Sequence, residues 1–401
     1  MVSSLKIINP LIFISVLCAV SSAHASFQPL LGSDLNNHSL YASDYITMGA
    51  GTAVGGNVQS VKAITLGADV TVGGNVEAGA AVTLGATAGI GGYIKSSTTV
   101  TLGASAIVDG PIHAGTTATI GASAEILSNL VAGTTATIAA NVDVEGDVLA
   151  GSTVTIGAGA VIGGNVDAGT TTTIGAGVLI AGDLTPNSLV AVPLPPVVNN
   201  QEALITSAQT TLKALGTGTE LVSTTFGVNN ETLEAGIYSS INYLTIAIGK
   251  TLTLDGKGQD SIWVFNIANY LSFAADSEVI LKDVTDNSSI LWNVLGDKTG
   301  SAGYAQLGAG AEVRGYIFAK GFVQTGANAL ITGIGNDCGG AYSATSFIEF
   351  GADSLIGQEG CTNGQVASST NTIVPEPASI SLFALGFLGL VIARRKKSLK
   401  Y

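Results

Sequence analysis

The sequence predicts an all-β protein: a parallel β-solenoid of about eight 18-residue triangular coils, followed by a helix and a second, irregular β-solenoid domain. Three observations support this fold class. A strict 18-residue repeat runs between residues 46 and 184. Glycine is abundant (53 residues) and only 11% of the residues are charged. One amphipathic segment follows a proline-rich stretch. A fixed period of this length is typical of stacked repeats, in which no coil can bury its apolar edge alone.

The repeat carries one threonine per coil, and these threonines stand 18 residues apart: Thr47, Thr65, Thr83, Thr101, Thr119, Thr137, Thr155 and Thr173. Each unit divides into three hexapeptides of apolar-Gly-x-x-Val-x type, such as residues 66–71. Alternate strand residues face one side, so the apolar residue and the later Val both point inward, while Gly permits a tight corner. Three strands per coil predict a triangular prism with coils stacked roughly 4.8 Å apart. The unit resembles hexapeptide-repeat β-helices and bactofilin-like polymer-forming repeats, and it leaves the handedness open.

Five successive coils carry a second threonine two positions earlier. The five pairs are Thr99/Thr101, Thr117/Thr119, Thr135/Thr137, Thr153/Thr155 and Thr171/Thr173. The residue between them points inward, so both threonines point outward and form a flat, uncharged grid of methyl and hydroxyl groups. The arrangement resembles the Thr-x-Thr ladders of β-solenoid antifreeze proteins, which implies that these ten are candidate ice-binding residues. The alternative is purely structural, because outward threonine also stabilises a sheet without binding anything.

The 18-residue period ends near Leu184, where a cluster of prolines forces an extended chain. An amphipathic helix is predicted at 199–215, because its apolar residues are spaced four, four and three apart: Leu204, Ala208, Leu212 and Leu215. Asn199 or Asn200 can cap its start, and Gly216 can end it. We expect the helix to lie along a solenoid and bury this stripe.

The region from about 217 to 357 is β-like but irregular. Its strand candidates are 236–238, 252–256, 262–267, 290–294, 308–319 and 326–333. This order, with Gly236-Ile237-Tyr238 and Leu252-Thr253-Leu254-Asp255-Gly256 after a long helix, resembles the secreted microbial ice-binding-protein family. The resemblance implies an irregular β-solenoid with one long helix alongside, and it transfers no site residues. Leu295 interrupts the family's "Trp-x-Val-Gly", and the 18-residue repeats replace its first β-segment. Whether the two solenoids share one core is left open.

The two ends of the chain look like export signals. Residues 1–25 fit a secretory leader: Lys6 precedes an apolar run at 7–20, and Ala23-His24-Ala25 offers a small-x-small cleavage site. The alternative is an anchored N-terminus. At the other end Pro375-Glu376-Pro377 precedes an apolar run at 380–393 and a basic tip. This order resembles the PEP-CTERM tail of Gram-negative bacteria and implies processing by an exosortase-type enzyme, with transient membrane insertion of the C-terminal helix. A plain tail anchor is the alternative.

Six segments are therefore predicted: a signal peptide at 1–25, the repeat solenoid at 26–185, a Pro-rich linker and helix at 186–216, the ice-binding-like irregular solenoid at 217–365, a linker with the sorting motif at 366–378, and a hydrophobic transmembrane helix with a basic tail at 379–401.

Charge and motif content exclude several function classes. The net charge is −13, and six of the 15 basic residues lie in the two terminal segments, which argues against a nucleic-acid partner. No nucleophile motif, phosphate loop or zinc spacing is present, so no enzyme activity, metal or cofactor is predicted. Asp283, Asp286 and Asp297 lack the spacing of a calcium loop. Cys338 and Cys361 form an even pair in an exported chain and are a candidate disulfide, with two free buried thiols as the alternative.

The sequence thus predicts a non-enzymatic protein, secreted or held at the cell surface of a Gram-negative bacterium, that binds an ice surface through a Thr-rich β-face. The expected effect is freezing-point depression or inhibition of ice recrystallisation. The alternative is an extracellular matrix or biofilm adhesion protein without ice activity. Its partner would be an exopolysaccharide or another surface protein.

Overall fold

The computed structural model describes residues 27–35, 37–187, 198–221, 225–226, 231–297, 302–335, 337–357 and 367–369. The predicted leader at 1–25 and the predicted membrane-inserting helix at 379–401 lie outside these residues. The chain divides into two compact units, residues 1–27 with 369–401 and residues 28–368, and the solenoid lies in the second.

The first part of the chain forms short strands because glycine or a turn residue interrupts the apolar pattern at every corner. Its elements are β1 (Phe27–Pro29), α1 (Gly32–Leu35), β2 (His38–Ala42), β3 (Ile46–Met48), β4 (Ala53–Val54), β5 (Asn57–Ser60), β6 (Ile64–Leu66), β7 (Thr71–Val72), β8 (Val76–Ala78), β9 (Val82–Leu84), β10 (Gly89–Ile90), β11 (Ile94–Ser96), β12 (Val100–Leu102), β13 (Ile107–Val108), β14 (Ile112–Ala114), β15 (Thr117–Ile120), β16 (Glu125–Ile126), β17 (Leu130–Ala132), β18 (Thr135–Ile138), β19 (Asp143–Val144), β20 (Val148–Ala150), β21 (Thr153–Ile156), β22 (Val161–Ile162), β23 (Val166–Ala168), β24 (Thr171–Ile174), β25 (Leu179–Ile180) and β26 (Leu184–Pro186).

The second part begins with the long helix and continues with strands of uneven length. Its elements are α2 (Glu202–Ala214), β27 (Thr219–Glu220), β28 (Thr225–Phe226), β29 (Thr232–Glu234), β30 (Gly236–Ser240), β31 (Leu244–Ile246), β32 (Thr251–Gln259), β33 (Ile262–Ile267), β34 (Leu271–Phe273), β35 (Glu278–Val284), β36 (Ser289–Val294), β37 (Ala305–Leu307), β38 (Glu312–Arg314), β39 (Tyr316–Ala319), β40 (Val323–Thr325), β41 (Leu330–Thr332), β42 (Gly340–Ser343), β43 (Ile348–Phe350), β44 (Leu355–Ile356) and β45 (Ala367–Ser369).

These strands form three long parallel sheets, which confirms the predicted solenoid class. Sheet I runs β26-β23-β20-β17-β14-β11-β8-β5-β2-β42-β39-β36-β33-β30-β27. Sheet II runs β24-β21-β18-β15-β12-β9-β6-β3-β43-β40-β37-β34-β31-β28. Sheet III runs β25-β22-β19-β16-β13-β10-β7-β4-β44-β41-β38-β35-β32-β29. Eight strands of sheet II come from the 18-residue repeat, which matches the predicted number of coils.

All three sheets run without a break from one part of the chain into the other. The first coil pairs with the last one in each sheet, through Leu40↔Ala341, Ile46↔Ile348 and Ala53↔Leu355. The first described coil therefore lies in the middle of the solenoid, and the repeat coils stack from it towards one end. The second half begins at the opposite end, and its last coil pairs with the first coil. One continuous hydrophobic core includes residues of both halves. This answers the question that the sequence left open: the two solenoids share one core.

Helix α2 lies against sheet I of the second half, packing on β33, β36 and β42. It begins three residues later than predicted, and Asn200 Oδ1 accepts the Glu202 N–H at 2.8 Å. Ala208 and Leu212 of the predicted stripe are buried, and Ile205 and Gln209 are buried beside them. The Gln209 amide donates to the carbonyl oxygens of Val294 and Phe318 at 3.0 and 3.1 Å, so a polar side chain anchors the helix to the sheet.

Among the described residues no helix combines the length and apolar character needed to cross a membrane.

Candidate functional site

The ten Thr-x-Thr residues, here called the threonine grid, lie along sheet II of the repeat half, nine of them in its strands and Thr99 directly before β12. Thr117 pairs with Thr135, and Thr135 with Thr153, in unshifted register. The same holds for the second column, from Thr101 through Thr119, Thr137 and Thr155 to Thr173. Neighbouring strands in a sheet are about 4.8 Å apart and residues two apart on a strand about 6.6 Å, so the grid is a regular two-dimensional array.

The strands that hold the grid are fixed by the small or β-branched residues between the threonines. Ala118, Ala136 and Val154 are fully buried, with 0% exposure, and point into the core. Thr119, Thr171 and Thr173 are exposed, and the other grid threonines are half-buried by their neighbours in the ladder. Since alternate residues of a strand face opposite sides, burial of the middle residue holds both threonines at the surface.

Nine of the ten grid hydroxyls have no hydrogen-bond partner among the described residues. Within the described part of the chain, only Thr153 Oγ1 comes near another side-chain hydroxyl, 3.5 Å from Ser152 Oγ. A hydroxyl column one residue before the grid behaves differently. Thr116, Thr134 and Thr170 donate to the carbonyl oxygen of the coil below at 2.9–3.0 Å. That column stabilises the corner and leaves the grid hydroxyls free to bind water.

The sequence analysis did not identify this corner column, although the sequence carries a signal for it. In coils five, six and eight the grid is preceded by a further Thr, giving Gly-Thr-Thr. The structure places all three columns at the surface, and the corner column differs from the grid because its hydroxyls bond to the backbone.

The other two faces of the repeat half are chemically irregular. On sheet I, successive outward residues are Glu77, Lys95 and His113, with Lys95 Nζ 3.6 Å from Glu77. Burial and the adjacent Lys95 lower the pKa of His113. On sheet III the outward series mixes apolar and acidic residues, including Glu125 and Asp143. Among these three described faces, sheet II is the one that presents the same uncharged residue, threonine, in every coil.

Sheet II changes character in the second half. The outward column that holds Thr101 to Thr173 continues as a polar column, here called the amide column: Glu349, Gln324, Gln306, Ser272 and Thr245. The column that holds Thr99 to Thr171 is replaced by an aromatic ladder: Tyr45, Phe347, Phe322, Tyr304, Tyr270 and Tyr243. Consecutive ring centroids lie 4.8–5.1 Å apart and the planes are within 9° of parallel.

The amide column and the ladder are connected where the first coil (β2 to β4) pairs with the last coil (β42 to β44), here called the seam between the halves. Tyr45 Oη donates to Glu349 Oε1 at 2.9 Å, and Gln324 Nε2 donates to Glu349 Oε2 at 3.0 Å. Burial and the Glu349 carboxylate raise the pKa of Tyr45. A shallow trough of about 410 Å³ lies beside the amide column, and its lining includes Ser272, Gln306, Gln324, Gly308 and Gly326.

The remaining predicted site residues are less connected to this face. Cys338 is buried and disulfide-bonded, and Cys361 lies outside the described residues, so their pairing stays a prediction. Pro375, Glu376 and Pro377 also lie outside them. Asp297 forms an ion pair with Lys213, with Nζ 2.5 Å from Oδ2. Within the described ranges no group of three or more His, Cys, Asp or Glu is placed to hold a metal ion.

Comparison with known proteins finds two matching family models and one curated relative. Residues 167–346 match the family described as ice-binding-like, and residues 374–397 match the PEP-CTERM protein-sorting motif. Ice-binding protein 1 of Shewanella frigidimarina is 32% identical over 108 residues, which are 26% of this chain and 11% of that protein. The chain thus spans about a tenth of the length of the curated relative that it matches.

Solved structures of ice-binding proteins are more distant. One from the Antarctic ascomycete Antarctomyces psychrotrophicus is 15% identical, with a TM-score of 0.39 over 80% of this chain and 94% of that one. A domain of Shewanella frigidimarina ice-binding protein 1 is 19% identical, with a TM-score of 0.32 over 55% of this chain and 92% of that one. The architecture of this chain rests on its own strand pairing. What the comparisons show is therefore local: residues 167–346 are similar to the ice-binding-like family, and residues 374–397 are similar to the PEP-CTERM protein-sorting motif.

Proposed function

We propose that this protein is exported and binds ice through the threonine grid. One observation carries the proposal: ten surface threonines repeat in two straight columns, and within the described residues only the Thr153 hydroxyl has a hydrogen-bond partner in the protein. A ligand that itself repeats in two dimensions can meet every position of such an array at once. Ice is a solid of this kind, and no charged side chain interrupts the grid.

Many weak contacts made at the same time explain how a surface of uncharged threonines could bind ice. Each methyl group removes a small apolar area from water, and each hydroxyl can replace one hydrogen bond of an ordered water molecule. The rigid solenoid holds these groups in place before contact, so little conformational entropy is lost on binding. A bound protein stops the ice front locally, which lowers the freezing point and slows recrystallisation. No catalytic residue or cofactor takes part.

The comparisons support the proposal in part. The ice-binding-like match begins at residue 167, so it includes Thr171 and Thr173 but not the other grid threonines. The relative from Shewanella frigidimarina is named as an ice-binding protein. The grid therefore lies mainly in the half of the rod that the family model does not match, and it is a separate hypothesis about which surface meets ice.

The test is partition of the purified protein into a slowly growing ice phase. Thr135→Tyr combined with Thr153→Tyr places two large rings in the centre of the grid without touching the core. We expect the fraction in ice to fall to the level of a non-binding control protein. Thr71→Tyr is the matched control, since Thr71 is an exposed threonine on sheet III, and it should partition like the wild type. Equal partition of the grid variant and the wild type would refute the grid as the ice site.

The sorting motif supports export to the cell surface of a Gram-negative bacterium. By its resemblance, Pro375-Glu376-Pro377 would be recognised by an exosortase-type enzyme while the C-terminal helix is transiently inserted in the membrane. Release and retention at the surface are both compatible with this route.

A second candidate function is adhesion within an extracellular matrix, with an exopolysaccharide as partner. The observation that favours it is the change along sheet II from a threonine surface to amides and aromatic rings. That second surface lacks the uniform side-chain length of the grid.

A further inference from the structure

The second half of sheet II carries unused hydrogen-bonding groups in regular order. The hydroxyls of Tyr243, Tyr270 and Tyr304 stand in consecutive coils, and within the described residues none of them bonds to a protein atom. Partial burial and the neighbouring phenols raise the pKa of Tyr270, so its hydroxyl stays protonated and can donate. Ser272 and Gln306 lie in the adjacent column on the same coils.

The shape of this surface does not suit a flat solid. Ser272 is short, Gln306 and Gln324 are long, and Gly308 and Gly326 line the trough beside them without a side chain. Added Cβ atoms at these glycines would lie 2.4–2.5 Å from the backbone of the neighbouring coil, so close coil packing excludes larger residues at these two positions. A concave strip of uneven depth accommodates a flexible or ridged polymer better than a crystal face.

The side-chain chemistry of this strip, formed by the amide column and the aromatic ladder, limits the classes of polymer that it can bind. Its two columns hold phenols, two phenylalanine rings, amides, a serine and a threonine, with one carboxylate at Glu349 and no Lys or Arg. The strands are interior to the sheet, with both edges paired, so an extended peptide cannot add to them by backbone hydrogen bonds. Phosphate-rich or sulfated polymers would need cationic side chains. A neutral, hydroxyl-rich chain remains, since amides and phenols can both donate to and accept from hydroxyl groups.

The aromatic rings contribute through their edges and hydroxyls. Each ring face is covered by the next ring in the ladder, so stacking of a sugar on a ring face is blocked along the strip. What the ladder offers is a straight row of phenol groups repeated about every 5 Å along the rod axis. A polymer that runs parallel to this axis would meet a phenol hydroxyl in three consecutive coils, beside Thr245, Ser272 and Gln306 in the adjacent column.

We propose that the strip formed by the amide column and the tyrosines of the ladder is a binding site for an extended, uncharged polysaccharide lying along the rod axis. This inference deepens the adhesion role above and does not depend on ice binding. The site is distinct from the threonine grid and lies on the other half of the same sheet. One rod would then join an ice-facing surface to a glycan-facing surface.

The test is affinity gel electrophoresis of the full purified chain in gels that contain laminarin, dextran or galactomannan. Alginate serves as an anionic comparison. We expect retardation by at least one neutral glycan and none by alginate. Tyr270→Phe with Tyr304→Phe keeps the stacked rings and removes two hydroxyls. It should weaken binding roughly 2- to 10-fold per hydroxyl, in line with the loss of one hydrogen bond each.

Gln306→Ala with Gln324→Ala should weaken binding in the same way. The matched control is Gln259→Ala, since Gln259 is exposed at the end of β32 on sheet III. The Thr135→Tyr, Thr153→Tyr variant should bind the glycan like the wild type, which separates this site from the ice site. Unchanged migration in all three neutral glycans would overturn the proposal. So would retardation by alginate alone, or equal retardation of the wild type and both strip variants.

Discussion

The two halves of this rod share three sheets and one core, yet their sequences use opposite means to fill the same cross-section. The repeat half packs Val, Ile, Leu and Ala in an identical order in every coil. The second half packs large aromatic residues, including Trp263, Phe265, Phe273 and Trp292, in coils of uneven length. Regular coils put the same residue at the surface each time and make an array. Irregular coils change the surface residue from coil to coil and make a strip with relief.

The two halves differ most in their core residues, and substitutions in the core are expected to have the largest effect on stability. Trp292 is fully buried, stacks on Phe265 at 4.3 Å and donates to the carbonyl oxygen of Arg314 at 2.8 Å. Trp292→Ala should lower the free energy of unfolding by about 3–5 kcal/mol. In the repeat half Ile138→Val should cost about 0.5–1.5 kcal/mol, because one methylene is lost from a closely packed coil. Denaturant unfolding of both variants checks the difference, and equal losses would contradict it.

The seam between the halves should respond to pH through His38. This residue starts the first coil, and its buried Nδ1 has no hydrogen-bond partner. Burial lowers the pKa of His38 from 6.5 to about 4, against smaller opposing effects of Glu77 and Asp34. The unfolded chain therefore takes up the proton first. Stability from this group is complete above pH 6.5 and is lost as the pH falls towards 4, by up to about 3 kcal/mol.

The measurement is the free energy of unfolding from pH 7 to pH 4 for the wild type and for His38→Gln. The wild type should lose more stability over this window than the variant, since the carboxylates titrate in both proteins. Parallel pH profiles would show that the seam does not depend on a neutral His38.

A smaller effect distinguishes two glycines within the repeat half. A Cβ added at Gly103 would lie 2.4 Å from the Gly85 carbonyl carbon, whereas at Gly89 the nearest atom is Thr71 Cγ2 at 3.9 Å. Gly103→Ala should destabilise by about 1–3 kcal/mol through overpacking. Gly89→Ala should be neutral or stabilise by up to about 1 kcal/mol, because the unfolded chain loses freedom. Thermal unfolding of the pair decides this, and equal midpoints would argue against close coil packing at Gly103.

The repeat half could be predicted from sequence because its period is constant. With a fixed 18-residue step, the register of Thr117, Thr135 and Thr153 follows directly from their numbers. The positions of strands β30, β33 and β36 in the second half were also predicted, since each is marked by aromatic and β-branched residues.

The aromatic ladder could not be predicted in the same way. Tyr243, Tyr270, Tyr304, Phe322 and Phe347 are 27, 34, 18 and 25 residues apart, because insertions at the corners change the length of each coil. A weak signal exists, since each ring directly precedes an inward apolar residue. The closure of β42 on β2 was equally hidden, because it pairs strands about 300 residues apart and nothing local marks the contact. The Gly-Thr-Thr sequences indicate the corner column of Thr116 and Thr134, but its hydrogen bonds to the backbone are visible only in the side-chain coordinates.

The proposed function depends most directly on whether the threonine grid binds ice. The measurement is the shape of a single ice crystal grown slowly in a solution of the protein purified without its predicted leader. Adsorption to particular ice planes should produce flat facets, and the Thr135→Tyr, Thr153→Tyr variant should leave the crystal a smooth disc. Smooth discs with the wild-type protein at every concentration would contradict the account, as would identical facets with the wild type and the variant.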